Sequence, residues 1–212
     1  MNDRRPIATR NAGWAQSAAR RLAHSRITPN QISIASIACA ALAGAAFWAT
    51  ATTSGSSATF LFLLAALGCQ TRLICNLLDG MVAMEGGKRE PSGPFWNEFP
   101  DRVADILILA GAGLGLGNPS LGLAAATMAV FTAYVRELGR ANGAPSDFSG
   151  PMAKPQRMAV MTVSAIIAAC AITGLWQADA ALNAGLWIVI AGSTLTVLRR
   201  AVRLIGWLNR RG

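Results

Sequence analysis

Six stretches of mostly apolar residues, 32–51, 58–81, 103–117, 121–135, 159–176 and 184–198, recur along this chain. A helix of about 20 such residues crosses a hydrocarbon layer of about 30 Å. Backbone polar groups in lipid must be satisfied within the chain, so helices are the expected form of each span. The third and fourth stretches are short and must draw in flanking polar residues. With 53% hydrophobic and only 14% charged residues, the chain is too apolar for an ordinary soluble domain. The expectation is an all-α, polytopic membrane protein of six transmembrane helices. Residues 1–30 form a cytoplasmic amphipathic juxtamembrane segment, and residues 31–208 the membrane domain.

Lys and Arg in short loops mark the cytoplasmic side. The connections TTSGSS, GNPS and QADAALN contain neither. Arginines crowd the first 26 residues, GGKRE carries Lys88 and Arg89, the fourth connection carries Arg136, Arg140, Lys154 and Arg157, and more arginines follow Leu198. This alternation predicts N-in, C-in topology. The net charge of +9 is accordingly read as positive-inside bias and attraction to anionic membrane lipid, not as a nucleic-acid surface. Cys39, Cys69, Cys75 and Cys170 lie within apolar stretches without paired or metal-like spacing, which predicts buried, unpaired thiols. No cleavable signal peptide is evident, because the N-terminus is polar and the first apolar run is long enough to span. His24, the one histidine, precedes the first span and is assigned to the interface, so no His-dependent triad is available.

Ahead of that span, Trp14, Ala18 and Leu22 fall four residues apart on one helical face, with Arg20 and Arg21 turned elsewhere, as in an interfacial amphipathic helix. Thr28 is a candidate N-cap with Pro29 at the first helical position. The second apolar run ends in NLLDGMVA, which carries Asn76 and Asp79 toward lipid, where an uncompensated carboxylate is costly. Most of the acidic residues lie between Asp79 and Asp105. On helices, Asn76, Asp79 and Ala83 share one face, as do Asn97, Asp101 and Asp105. If the short loop makes the two helices antiparallel neighbours, both faces converge on one cavity. Such oxygens suit a hard divalent cation, Mg²⁺ or Mn²⁺, which commonly takes one or two carboxylates plus phosphate and water. Gly80 and Gly93 permit close backbone approach. Taken singly, Asp79 pairing with Arg72 or Arg102, or Gly80 easing helix packing, would be the plainer reading; the whole set at this spacing points to a site.

Residues 76–101, NLLDGMVAMEGGKREPSGPFWNEFPD, resemble the signature of the CDP-alcohol phosphatidyltransferases, D-x2-D-G-x2-A-R-x8-G-x3-D-x3-D, without a gap. Asp79, Gly80, Ala83, Gly93 and Asp101 match. Asn76 and Asn97 stand where the first and third Asp belong, a form that resembles a bacterial branch of the family, and Met84 stands where Arg belongs. The TPNQIS entry and the six-span layout are also similar to the family. The resemblance implies transfer of a substituted phosphate from CDP-diacylglycerol or a related CDP-lipid to an acceptor alcohol, with release of CMP, in phospholipid synthesis. It also implies a bacterial inner (cytoplasmic) membrane and a site facing the cytoplasm. By similarity Asp101 is the base and a metal ligand, Asp79 a metal ligand, and Gly80, Ala83 and Gly93 line the CDP donor together with Asn76 and Asp79. Asn76 and Asn97 offer neutral amide oxygens, so affinity for a second cation should fall. Glu98 or Asp105 would restore charge if either reaches the cavity. With Met84 in the arginine position, Arg72, Lys88 or Arg89 would have to hold the phosphate in its place.

Arg136, Arg140, Lys154 and Arg157, near a helix end and a helix start, form a second cluster suited to a phosphorylated acceptor such as glycerol phosphate or inositol phosphate, or to plain cytoplasmic anchoring. The glycines between Gly111 and Gly117 fit small-xxx-small packing, either within the chain or at a homodimer face. The alternative to an enzyme is a non-catalytic CDP-lipid-binding or scaffold protein on the same fold, motivated by Asn76, Asn97 and Met84. A small transporter fits less well, because the polar residues gather on one helix pair instead of recurring at mid-depth.

Overall fold

A computed structural model describes residues 12–88, 90–171 and 177–211, and the regular structure among them is helical throughout. The elements are α1 (Gly13–Ala23), α2 (Pro29–Ala49) with a 3-10 turn (Thr50–Thr52), α3 (Gly55–Glu85), α4 (Gly93–Gly115), α5 (Pro119–Ala141), α6 (Lys154–Ala171) and α7 (Ala178–Leu208). Expectations for residues 1–11 of the juxtamembrane segment, for Arg89 and for residues 172–176 lie outside the described residues. Among the described residues, four helical stretches are long and apolar enough to cross a membrane: Pro29–Thr52, Gly55–Met84, Pro119–Ala141 and Ala178–Leu208. The first half of α4 carries Glu98, Asp101, Arg102 and Asp105, which dilutes its apolar character, and α6 opens with Lys154 and Arg157.

Helix starts follow local chemistry. The Thr28 hydroxyl accepts from the Gln31 amide at 3.2 Å, and the Gln31 side-chain oxygen accepts from the Thr28 amide at 3.0 Å. This reciprocal cap, with Pro29 behind it, fixes where α2 begins.

The arrangement revises one expectation. The helices α3 and α4 are not packed neighbours: α2 lies along both, and they touch each other only slightly. Glycines explain the choice. A Cβ at Gly111 of α4 would lie 2.3 Å from the Gly44 carbonyl oxygen of α2, and one at Gly68 of α3 would lie 2.8 Å from Ala43 Cβ of the same helix. Small residues draw backbones together where lipid supplies no hydrophobic drive between helices. Gly113 meets Gly122 of α5, and Gly115 meets the Phe47 carbonyl. The glycines at 111, 113 and 115 thus serve contacts within the chain, not a dimer face. Further pairs, α4 with α5, α3 with α6, α5 with α7 and α6 with α7, close the bundle.

α1 lies against the end of α3, but on a different stripe from the one expected. Ala15 and Ala19 are buried with Leu77, Met81 and Val82, and Leu22 packs beside them, whereas Trp14 is exposed. Of the four thiols, Cys69 alone is buried and Cys170 is exposed, and none of them forms a disulfide among the described residues.

Candidate functional site

The starts of α2, α4 and α6 and the ends of α3 and α5 come together at one end of the bundle. A cavity of about 610 Å³ opens there. The residues assigned to cation, donor and acceptor all line it: Asn76, Asp79, Gly80 and Ala83 from α3, Gly93, Asn97, Glu98 and Asp101 from α4, Arg136 and Arg140 from α5, and Lys154 and Arg157 from α6. At Gly80 and Gly93 an added Cβ would meet no atom within 4 Å, so both backbones face open space.

Asp79 is 4% exposed. Ser33 of α2 donates to its Oδ2 at 2.6 Å, while Oδ1 accepts no hydrogen bond. Asp101, also 4% exposed, receives a hydrogen bond from Lys154 Nζ on Oδ2. Arg102 Nη2 is 3.6 Å from the same oxygen, and Arg72 Nη2 is 3.6 Å from Oδ1. Arg72 also donates to the Asp101 carbonyl at 3.0 Å.

Several expected roles are reassigned by these contacts. Asp105 does not line the cavity. It is wholly buried, with Arg157 Nη2 at 2.6 Å and Arg72 Nη2 at 3.0 Å, so it returns no charge to the site. Arg72 is likewise fully buried and committed to Asp101 and Asp105, not to Asp79, and it does not stand in for an arginine at position 84. Lys88 reaches the cavity wall, but its ammonium donates to the Ser25 and Ile27 carbonyls at 2.7 and 3.1 Å. It ties down the link between α1 and α2. Glu98 lines the cavity and turns toward α5, accepting from Arg136, with Arg102 at 3.7 Å. Its charge neutralises arginine instead of adding to Asp79.

The cationic cluster is similarly engaged. Arg136 and Arg140 each donate to Glu137 at 2.9 Å, and Arg157, 1% exposed, is held by Asp105, Thr132 and the Met152 carbonyl.

Two site residues escaped the sequence reading. Ser33 positions Asp79. Arg200 of α7, 4% exposed, lines the cavity and donates to the carbonyls of Thr132 and Ser149. Both carry a signal in their register. Arg200 continues the buried stripe Leu182, Leu186, Val189, Ser193, Thr196, and Ser33 falls on the stripe Pro29, Ser36, Ala40, Ala43, Phe47.

The donor chemistry fits a hard cation. Asp79 Oδ1 is a buried carboxylate oxygen without a partner, Asn76 adds an amide oxygen one turn away, and Asp101 faces the same space. Among the described residues no group of three His, Cys, Asp or Glu side chains could hold a metal. A cation here would complete its shell from amides, water or phosphate oxygens.

Comparisons with known proteins bear on this geometry. No family model matches the chain. A phosphatidylinositol phosphate synthase of Streptomyces avermitilis is 27% identical over 134 residues, 60% of this chain and 55% of that protein. The enzyme of that name from Mycolicibacterium smegmatis is 26% identical over 136 residues, 60% of this chain and 59% of that protein. The chain thus spans little more than half the length of these two relatives. A third, from Mycobacteroides abscessus, is 25% identical over 193 residues, 84% of this chain and 78% of that protein. The crystal structure of Mycobacterium tuberculosis phosphatidylinositol phosphate synthase with CDP-DAG bound shares the fold at a TM-score of 0.74 and 18% identity, over 91% of this chain and 94% of that one. The same protein in complex with manganese and citrate gives 0.73 and 18%, over 90% and 88%.

Proposed function

We propose that this chain, a relative of the CDP-alcohol phosphatidyltransferases, transfers a phosphatidyl group from CDP-diacylglycerol or a related CDP-lipid to an acceptor alcohol and releases CMP. The observation that carries the reading is the convergence of Asn76, Asp79, Gly80 and Ala83 from α3 with Gly93, Asn97 and Asp101 from α4 on one cavity. Asp79, with the Asn76 and Asn97 amides on the wall of the same cavity, would hold a divalent cation, Mn²⁺ or Mg²⁺. When bound, that cation supplies a positive charge to the donor's phosphates and to the departing CMP. Gly80, Ala83 and Gly93 leave room for the nucleotide against backbone.

Asp101 acts as general base. Lys154 and Arg102 flank Oδ2 and Arg72 lies 3.6 Å from Oδ1, which holds the carboxylate in place to take the proton of the acceptor hydroxyl. The acceptor oxygen bonds to the phosphorus that bears the diacylglycerol, and the bond from that phosphorus to CMP breaks. Arg136, Arg140, Lys154 and Arg157 supply the positive wall for a phosphorylated acceptor. Because these side chains already meet Glu98, Glu137, Asp101 and Asp105, an acceptor phosphate is bound by adding to existing ion pairs, which keeps the guanidinium groups oriented.

In a bacterial inner membrane the two remaining helices, α4 and α6, complete six spans around this interior. Both termini and the cavity then face the cytoplasm, in keeping with the placement of Lys and Arg. The test is CMP release by the purified chain with CDP-diacylglycerol, Mn²⁺ and a panel of acceptors that includes glycerol phosphate and inositol phosphate. Absence of both release and CDP-lipid binding across that panel would refute the proposal.

A further inference from the structure

We propose that a second cleft, between the ends of α5 and α7 that flank the first cavity, holds the headgroup of an anionic phospholipid from the surrounding bilayer. The cleft has a volume of about 550 Å³ and is bounded by Val135, Gly139, Leu204 and Trp207. Arg136 and Arg200 line it as well as the first cavity, and Arg203 and Arg210 complete its charged lining. Its one carboxylate is Asp147, 3.7 Å from Arg203. Arg136 already meets Glu98 and Glu137, so Arg203 and Arg210, with Asp147 as the carboxylate beside them, supply the positive charge that selects an anion.

Place and shape select a lipid among anions. On the outward side of α7, Leu195, Leu198, Val202 and Ile205 are exposed, and Val202 continues that apolar strip into the cleft. Beyond it Arg211 lies over the Trp207 ring, 4.1 Å from its centroid. An apolar strip that ends in a Trp and arginines is the pattern of a helix leaving hydrocarbon at headgroup depth. An acyl chain can lie along α7 with its phosphodiester among the arginines. An acidic protein segment or a nucleic acid would have no use for the strip.

The inference rests on the membrane-spanning reading, and its test is kept apart from catalysis. The full chain is reconstituted in nanodiscs of phosphatidylcholine mixed with phosphatidylglycerol, and lipid retained after transfer to detergent is identified by native mass spectrometry. Wild type is expected to retain phosphatidylglycerol in preference to phosphatidylcholine. R203Q/R210Q, altered at two exposed positions outside the first cavity, is expected to lose roughly tenfold or more of that preference, with CMP release unchanged. No preference in wild type, or an undiminished one in the double variant, would overturn the assignment. So would displacement of the lipid by excess inorganic phosphate, which would mark a site for the free ion. A chain that retains phosphatidylglycerol yet neither releases CMP nor binds CDP-lipid leaves this inference standing and removes the transferase reading.

Discussion

Asp101 is held by Lys154 and Arg102 on Oδ2 and by Arg72 at 3.6 Å from Oδ1, contacts that suit a base kept in place while it takes a proton. Asp101→Asn keeps the shape and removes that capacity. CMP release is expected to fall about 10²- to 10⁴-fold with CDP-lipid binding retained, and a loss smaller than tenfold in single-turnover assays would contradict the assignment. Asn76 and Asn97 set the other residue-scale expectation. Restoring carboxylates in N76D/N97D adds two negative charges to the cavity that Asp79 lines, so Mn²⁺ affinity should rise on the order of tenfold or more, since ligand charge count tunes such sites. Mn²⁺ titration followed by electron paramagnetic resonance reads this without catalysis. The spacing of Asn76, Asp79, Asn97 and Asp101 was legible because polar atoms stand out in an apolar run. Ser33 and Arg200 were not, since a serine is unremarkable in a membrane helix and one arginine among several after Leu198 resembles anchoring charge. Only their register on buried stripes distinguishes them.

At the scale of the helix, the start of α2 was legible from Thr28 and Pro29, but the neighbours of α2 were not. Apolar patterning tells which face is buried and is silent on which helix buries it, so a short loop between α3 and α4 suggested contact where α2 in fact intervenes. The deciding residues are Gly44 and Gly111, which look alike in sequence whether they meet each other or a second chain. Gly111→Ala places a methyl 2.3 Å from a backbone oxygen, which no side-chain rotation relieves. Overpacking of this kind typically costs about 1–3 kcal/mol, read as a lower melting temperature in detergent. Because α2 and α4 both line the cavity, a shift at their crossing should weaken CDP-lipid binding in parallel. Gly80→Ala is the control within the cavity: its Cβ meets nothing, so binding should change while melting does not.

Across the whole molecule, polarity is turned inside out. The outward faces carry Phe60, Leu63 and Leu67 on α3 and Leu195 and Leu198 on α7, while the interior holds Arg72, Asp105 and Arg157. Those three bind α3, α4 and α6 to one another, and Arg157 adds Thr132 of α5 at 3.2 Å. In an apolar surround, the cost of exposing such charges on separation is what makes the clamp effective. Removing one partner leaves the others buried without compensation, a loss of about 3–5 kcal/mol in comparable buried pairs. Asp105→Asn should therefore lower the melting temperature more than Asp101→Asn, although both exchange one buried carboxylate for an amide, because Asp101 borders a cavity that water can enter. D105N/R157M removes a charge of each sign and should regain part of the loss, since neutral, well-packed replacements of buried pairs are often tolerated. A double variant less stable than the sum of the single variants would show that the triad acts through packing and not through charge.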